Sequence, residues 1–208
     1  MIVLGLTGSI GMGKSNAAAA LRRLGVPVFD ADAEVHRLLG PGGRAVRAVE
    51  AVFPEVRDTA GGIARPALGR RVFADPPALR LLEGILHPLV RQAERRFVAQ
   101  AQARREPLVV LDIPLLFETH GVGRCDLVMV VSAPLRLQRE RVMRRPGMSE
   151  ARFAGIQRAQ MPDYEKRRCA DFVIATALGR DETYRRIKAL VRRLRSGDVP
   201  RRRHRGRQ

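Results

Sequence analysis

Tryptophan is absent from the 208-residue chain, tyrosine occurs twice, and aromatic residues amount to 4%. So few rings leave little on which bases could stack, and no RRM, zinc-module or recognition-helix signature is present, which argues against a dedicated nucleic-acid reader. The two cysteines, Cys125 and Cys169, have no metal-ligand spacing and are too few for a disulfide scaffold. His36, His120 and His204 likewise show no ligand spacing, so a zinc site is not expected. No apolar stretch approaches the roughly 20 residues of a bilayer-spanning helix. No basic segment precedes the apolar opening from Met1 to Leu6, so no secretory signal is expected. A cytoplasmic protein without membrane association is the expectation.

Acidic residues are also scarce. Twenty-one Asp and Glu face 39 Lys and Arg, for a formal charge of +18. Every one of those bases except Lys14, Lys166 and Lys188 is arginine. One reading is a polyanionic partner, since the guanidinium suits phosphate geometry. The other is a compositional bias toward arginine ending in a solvated tail. Residues 196–208 have too little apolar content to pack and are expected to form a disordered basic tail. The rest is ordinary: 45% apolar and 29% charged residues suit a soluble domain with one core and a small appended subdomain.

Hydrophobic patterning predicts a strand over residues 2–7, a Gly-rich turn, a helix over 14–24 closed by Gly25, and a strand over 26–30. This is a βαβ unit and implies a parallel sheet with right-handed crossovers. Residues 33–105 carry helical segments at 33–39, 44–52, 66–73, 77–86 and 88–104, the last two meeting at Pro88. Continuous apolar runs at 108–112 and 127–131 read as strands covered on both faces. Helices over 134–145 and 149–160, a strand at 172–174 and a helix over 181–194 complete the chain. The expected fold class is α/β, a three-layer P-loop architecture with a parallel sheet. Its core would comprise residues 1–32, 106–132 and 170–195, with a helical insertion at 33–105 and an arginine-rich lid with its following helix at 133–169.

The sequence Gly8-Ser9-Ile10-Gly11-Met12-Gly13-Lys14-Ser15 satisfies G-x-x-x-x-G-K-[ST] at every fixed position, after a strand and before a helix. Glycines let the backbone wrap phosphates so that several N–H groups converge at a helix start. Lys14 would reach the β- and γ-phosphates, and the Ser15 hydroxyl would ligate Mg²⁺. Gly8, Gly11, Met12, Gly13, Lys14, Ser15 and Asn16 are therefore the candidate ATP-binding set. No N-K-x-D signature for guanine is present, and the remaining chain has room for one lid and one acceptor pocket. Both facts favour a small-molecule kinase.

Asp30-Ala31-Asp32 ends the second predicted strand, at the sheet edge where ligands of open parallel sheets bind. Asp32 is assigned as the group that orients an acceptor hydroxyl and takes its proton, Asp30 as a helix cap; the alternative for Asp32 is capping. Asp112 ends a buried strand and either assists the metal or caps a turn. Arg136, Arg139, Arg141, Arg144 and Arg145 crowd one helix, where like charges repel. A triphosphate under a closing lid accounts for them, and a solvated helix face is the alternative. His87 either caps the helix after it or touches ligand.

Taken in order, these segments resemble the dephospho-CoA kinase family. The resemblance is carried by residues 6–15, Asp30-Ala31-Asp32, Leu86-His87-Pro88, the run from Asp112 through Pro114, Leu115 and Leu116 to Glu118, Arg141 and Arg145, Gln160-Met161-Pro162, Glu165-Lys166-Arg167, and residues 170–174. It implies phosphorylation of the ribose 3′-hydroxyl of dephospho-CoA by ATP with Mg²⁺, the last step of CoA biosynthesis. It also implies Asp32, Lys14, Arg141 and Arg145 as catalytic residues. Thr7, Asp32, His87, Pro114, Leu115 and Leu116 would bind the acceptor, with Ser15 and Asp112 at the metal. Dephospho-CoA is then the partner, with no specific nucleic acid and no membrane, in a monomer or weak homo-oligomer. The chain departs from the family pattern in three places. Asn16 follows the loop serine in place of threonine, Ile156 replaces a frequent arginine, and Ala175-Thr176 stands where Asp-Asn is common. A nucleoside monophosphate kinase and a nucleic-acid-stimulated ATPase are the competing readings.

Overall fold

Ile2, Val3 and the leucines at positions 4 and 6 build strand β1 (Ile2–Thr7), the middle strand of a five-stranded sheet in the computed structural model, which describes residues 1–73 and 75–199. Strands β3 (Leu108–Asp112) and β4 (Leu127–Ser132) flank it and are buried at every residue, as helix-covered strands must be. The edges are β2 (Val28–Asp30) and β5 (Phe172–Ala175), giving the order β2-β3-β1-β4-β5. The β1–β3, β1–β4 and β4–β5 pairs are parallel. Leu6 stands opposite Asp112 on one side and Met129 on the other, so β1 and β3 reach their C-terminal ends at one level. That register brings the loop leaving β1 to the acid that ends β3.

Residues 1–29 and 101–199 form one compact unit. Its core joins Leu4, Leu6, Val110 and Met129 of the sheet to Ala17 and Leu21 of α1 (Lys14–Arg23) and to Ile187 and Leu194 of α9 (Arg180–Arg195). Between β4 and β5 run α6 (Leu135–Met143), α7 (Glu150–Ala159) and α8 (Asp163–Cys169). Ser149 caps α7, its Oγ accepting from the Arg152 N–H at 3.2 Å. Helix α8 is too short and too polar to show a 3.6-residue apolar pattern, so the sequence predicts no helix there. After α9, Asp198 Oδ2 accepts from Arg193 Nε at 2.7 Å, so residues 196–199 turn back on the helix. The rest of the expected tail, residues 200–208, lies outside the described residues.

Residues Asp30–Gln100 form the second unit, with a core of its own. Helices α2 (Ala31–Leu39), α3 (Val46–Val52), α4 (Arg65–Phe73) and α5 (Pro76–Ala103) supply Leu38, Val49, Leu68, Leu82 and Leu86 to it. Asp75 starts α5, its Oδ1 accepting from the Ala78 N–H at 3.1 Å; that bond, with Arg71 beside it, holds the carboxyl below the usual carboxylate range. The two helices expected on either side of Pro88 are one continuous helix. An interior proline costs a helix about 3 kcal/mol through a lost hydrogen bond and a ring clash. Here Leu82, Ile85 and Leu86 before the proline and Leu89 and Val90 after it all pack into the same core, and that burial on both sides carries α5 through.

Candidate active site

The phosphate loop departs from β1 at Thr7, which is fully buried and donates its hydroxyl to the Pro114 carbonyl at 2.9 Å. Gly11 and Gly13 adopt φ of +75° and +92°, the left-handed region that disfavours side chains. Gly8 is required for space: an added Cβ would sit 2.5 Å from Val131 Cγ2 and 2.8 Å from the Val131 carbonyl oxygen. Helix α1 then begins with no side-chain cap and no acid in its first turn. Its leading N–H groups are thus left to an anion, as at other helix N-termini that bind phosphate. Lys14 Nζ lies 2.7 Å from Asp112 Oδ1, an ion pair made by the shared level of β1 and β3. Ser15 and Asn16 follow on the exposed side of the helix.

Helix α6 and the end of α7 meet this loop at Ile10. The Ile10 N–H donates to Gln160 Oε1 at 3.0 Å, and the Ile10 carbonyl accepts from Gln138 Nε2 at 2.8 Å. Gln157 Nε2 in turn reaches Gln138 Oε1 at 3.4 Å. Of the α6 arginines, Arg141 is at the loop: its Nη1 lies 3.4 Å from the Gly11 carbonyl and 3.0 Å from Thr176 Oγ1, and its Nη2 donates to the Thr176 carbonyl at 2.8 Å. Arg139 and Arg144 pair with Glu150 and Glu140 on the exposed face. Such exposed pairs contribute about 0–1 kcal/mol each. Arg145 is exposed beyond the end of α6, and its guanidinium makes no hydrogen bond or ion pair with a described residue.

A second network anchors α8. Lys166 is fully buried, its Nζ 2.8 Å from Glu118 Oε1, and the same oxygen accepts the Met161 N–H at 2.9 Å. Ser132 Oγ donates to Asp163 Oδ2 at 2.7 Å, tying the end of β4 to the start of α8. A cavity of about 440 Å³ opens beside the loop, lined by Ser9, Gln138, Gln160, Asp163 and Tyr164 among others. Tyr164 donates to Glu165 Oε1, which raises its hydroxyl pKa. Replacing Lys166 by Met is expected to destabilise the fold by about 3 kcal/mol, because Glu118 loses its cation in a mostly buried setting. Urea unfolding checks this; a change below about 1 kcal/mol would mean that burying the lysine cancels the pair. In the loop before Glu118, Leu116 is fully buried core while Leu115 is 41% exposed, so only Leu115 and the half-buried Pro114 present apolar surface.

The sequence profile of the dephospho-CoA kinase family matches residues 2–180. The chain belongs to the dephospho-CoA kinase family. The dephospho-CoA kinase of Paramagnetospirillum magneticum is 63% identical over 168 residues, 80% of this chain and 78% of the relative. That of Rhodospirillum rubrum is 55% identical over 196 residues, 94% of this chain and 93% of the relative. Among solved structures, dephospho-CoA kinase from Campylobacter jejuni superposes with a TM-score of 0.72 at 26% identity, covering 95% of this chain and 98% of that one.

The remaining site residues lie in the second unit. Asp30 is the cap of α2, its Oδ1 accepting from the Ala33 N–H at 3.0 Å. Asp32 sits in the first turn of α2, and its carboxylate makes no hydrogen bond or ion pair with a described residue. The cap is thus Asp30, which removes the capping alternative for Asp32. His87 lies exposed within α5, so it caps nothing; the helix it was expected to start is already under way. Gln138, Thr176 and the burial of Lys166 escaped the sequence analysis. Gln138 shares a buried i, i+4 stripe with Val142, but a glutamine among arginines reads as surface. Gly8→Ala is expected to destabilise the protein by about 2 kcal/mol and to weaken ATP binding, since the new methyl meets backbone as well as side chain. Thermal unfolding with and without nucleotide checks it; adding Val131→Ala should recover only part, because the carbonyl clash persists.

Proposed function

We propose that this dephospho-CoA kinase transfers the γ-phosphoryl group of ATP to the ribose 3′-hydroxyl of dephospho-CoA, giving CoA and ADP, and that its sequence-assigned residues carry the reaction. The observation that supports the reading best is the uncapped, acid-free start of α1, with Lys14 at one side and Arg141 at the Gly11 carbonyl. Phosphoryl transfer asks a protein mainly for positioning and for positive charge where negative charge spreads. Backbone N–H groups of Gly11 and of residues 13–15 hold the phosphates, Lys14 exchanges part of its contact with Asp112 for a phosphate oxygen, and Arg141 meets the transferring group. Arg145 joins when the α6–α7 segment bends over the nucleotide. Asp32 orients the acceptor hydroxyl and takes its proton late in the reaction. Thr7, His87, Pro114, Leu115 and Leu116 serve the acceptor, Leu116 by packing beneath the surface its neighbours present.

The described residues contain no group of three or more His, Cys, Asp or Glu side chains able to hold a metal. The donors present, the Ser15 hydroxyl and the Asp112 carboxylate, are hard oxygens of the kind that complete the shell of Mg²⁺ arriving on a nucleotide. Bound there, Mg²⁺ would neutralise charge on the phosphate oxygens. No helix among the described residues is long and apolar enough to cross a membrane. Cys125 and Cys169 are free thiols, which accords with the reducing cytoplasm that this reading includes. The reading also includes a monomer or weak homo-oligomer.

The test measures ADP release from MgATP with dephospho-CoA, AMP, adenosine or single-stranded DNA present. ADP matched mole for mole by CoA, with dephospho-CoA alone, is the expected result. Stimulation by DNA that falls steeply with salt would instead favour the nucleic-acid ATPase. A response to AMP would favour the monophosphate kinase.

A further inference from the structure

Thr176 lies just past β5 and is 4% exposed. Its polar groups are engaged by three elements: β4, the phosphate loop and α6. Its N–H donates to the Ser132 carbonyl at the end of β4, 2.9 Å away. Its hydroxyl donates to the Met12 carbonyl of the phosphate loop at 2.8 Å. A hydroxyl has one proton and two lone pairs, so with the proton on Met12 the oxygen is left to accept, and Arg141 Nη1 donates to it at 3.0 Å. The Thr176 carbonyl accepts the second guanidinium nitrogen of Arg141 at 2.8 Å. The side chain also backs the loop sterically: a Cβ on Gly13 would meet three Thr176 atoms at 3.1–3.2 Å.

We infer that Thr176 is a positioning residue of the kinase reaction, holding Arg141 over the phosphate loop while bracing the Met12–Gly13 backbone. Its hydroxyl is the joint. It donates to the loop carbonyl and accepts from the arginine, so the charge that meets the transferring phosphoryl group and the backbone that cradles it share one anchor. The pairing is bidentate, and a guanidinium held on two acceptors is fixed in plane as well as in place. The contact spans 164 residues of sequence from Met12 to Thr176, which is why it is invisible to local patterning. The inference rests on the reading of Arg141 as a catalytic residue.

Four variants test it: Thr176→Val, which keeps the shape and removes both hydroxyl bonds, Thr176→Ser, Arg141→Lys, and Thr176→Val with Arg141→Lys. Thr176→Val is expected to lower kcat by about tenfold to a hundredfold, with the KM for dephospho-CoA little changed. Thr176→Ser should restore turnover to within about threefold of the parent, since it keeps the hydroxyl. The double variant should be no slower than Arg141→Lys by more than about threefold, because the two residues act as one unit. Equal impairment by Val and Ser, or effects that multiply in the double variant, would overturn the inference. ADP affinity and the unfolding midpoint are read alongside. If Val prevents folding, Thr176→Ala takes its place in the same comparison with Ser. Should Arg141→Lys turn over normally, the catalytic reading of Arg141 falls on its own. Thr176 then stands only if Val still weakens ADP binding and Ser restores it; unchanged ADP affinity would overturn it.

Discussion

Asp32→Asn is expected to lower kcat by about 10²- to 10⁴-fold, the range for loss of a positioned proton acceptor, while ATP affinity stays within about threefold of the parent. Asparagine keeps size and helix position and removes only the charge and the proton-accepting oxygen. The folded state has little stake in that carboxylate: α2 is capped by Asp30, and the Asp32 carboxylate bonds to no described residue. Under the proposed role, the partner of this carboxylate arrives with the acceptor. Steady-state kinetics with both substrates varied, together with ADP titration, separates the outcomes. Turnover unchanged in Asp32→Asn would remove the proposed role. A fall in dephospho-CoA affinity with kcat intact would leave Asp32 as a binding group only. Asp30→Ala is the control, and its effect should fall on stability, where losing a cap costs about 1 kcal/mol.

Lys14→Met should reduce kcat/KM for ATP by about 10²- to 10³-fold, as removal of one preorganised donor to a developing charge does elsewhere. Methionine preserves the length of the side chain and its packing along α1. What it removes is the ammonium 2.7 Å from Asp112 Oδ1, between the N-terminus of α1 and the end of β3. Lys14→Arg is expected to recover little, because a planar fork cannot occupy the place of a compact point charge. Asp112→Asn separates the two functions of the pair. If the pair serves mainly to park the lysine, Asp112→Asn keeps most of the turnover. If Asp112 also supports the metal, turnover falls and the Mg²⁺ concentration for half-maximal rate rises. Near-normal rates in Lys14→Met would contradict the phosphate-binding assignment of the loop.

The parts of this protein that were legible in sequence are those with local causes. Apolar runs at 2–7, 108–112 and 127–131 marked the central strands because strands buried on both faces admit nothing else. The phosphate loop was legible because left-handed glycines, a strand before and a helix after leave a fixed spacing of residue types. Pro88 misled because its local cost is real; the five apolar residues around it, packed in one core, outweigh that cost only once the core exists. The family resemblance groups Leu116 with its apolar neighbours as acceptor-binding, and only packing against Gly5 and Gly121 shows that it faces inward. The lid arginines looked alike as a cluster, yet Arg141 reaches the loop while Arg139 and Arg144 spend their charge on exposed acids.

By itself the sequence determined the fold class, the family and the place of the phosphate loop, since each rests on patterns within a few tens of residues and on their order along the chain. The tertiary structure alone decided which polar side chains work together. Lys14 meets Asp112 across 98 residues, Ile10 meets Gln160 across 150, and Met12 meets Thr176 across 164. Those partners are set by the strand order β2-β3-β1-β4-β5, which turns sequence neighbours apart and brings the C-terminal ends of distant strands to one edge. A glutamine, a threonine and a lysine have no periodic signature of their own. Only the burial of their polar atoms, and the need to satisfy them there, makes Gln138, Thr176 and Lys166 what they are in this protein.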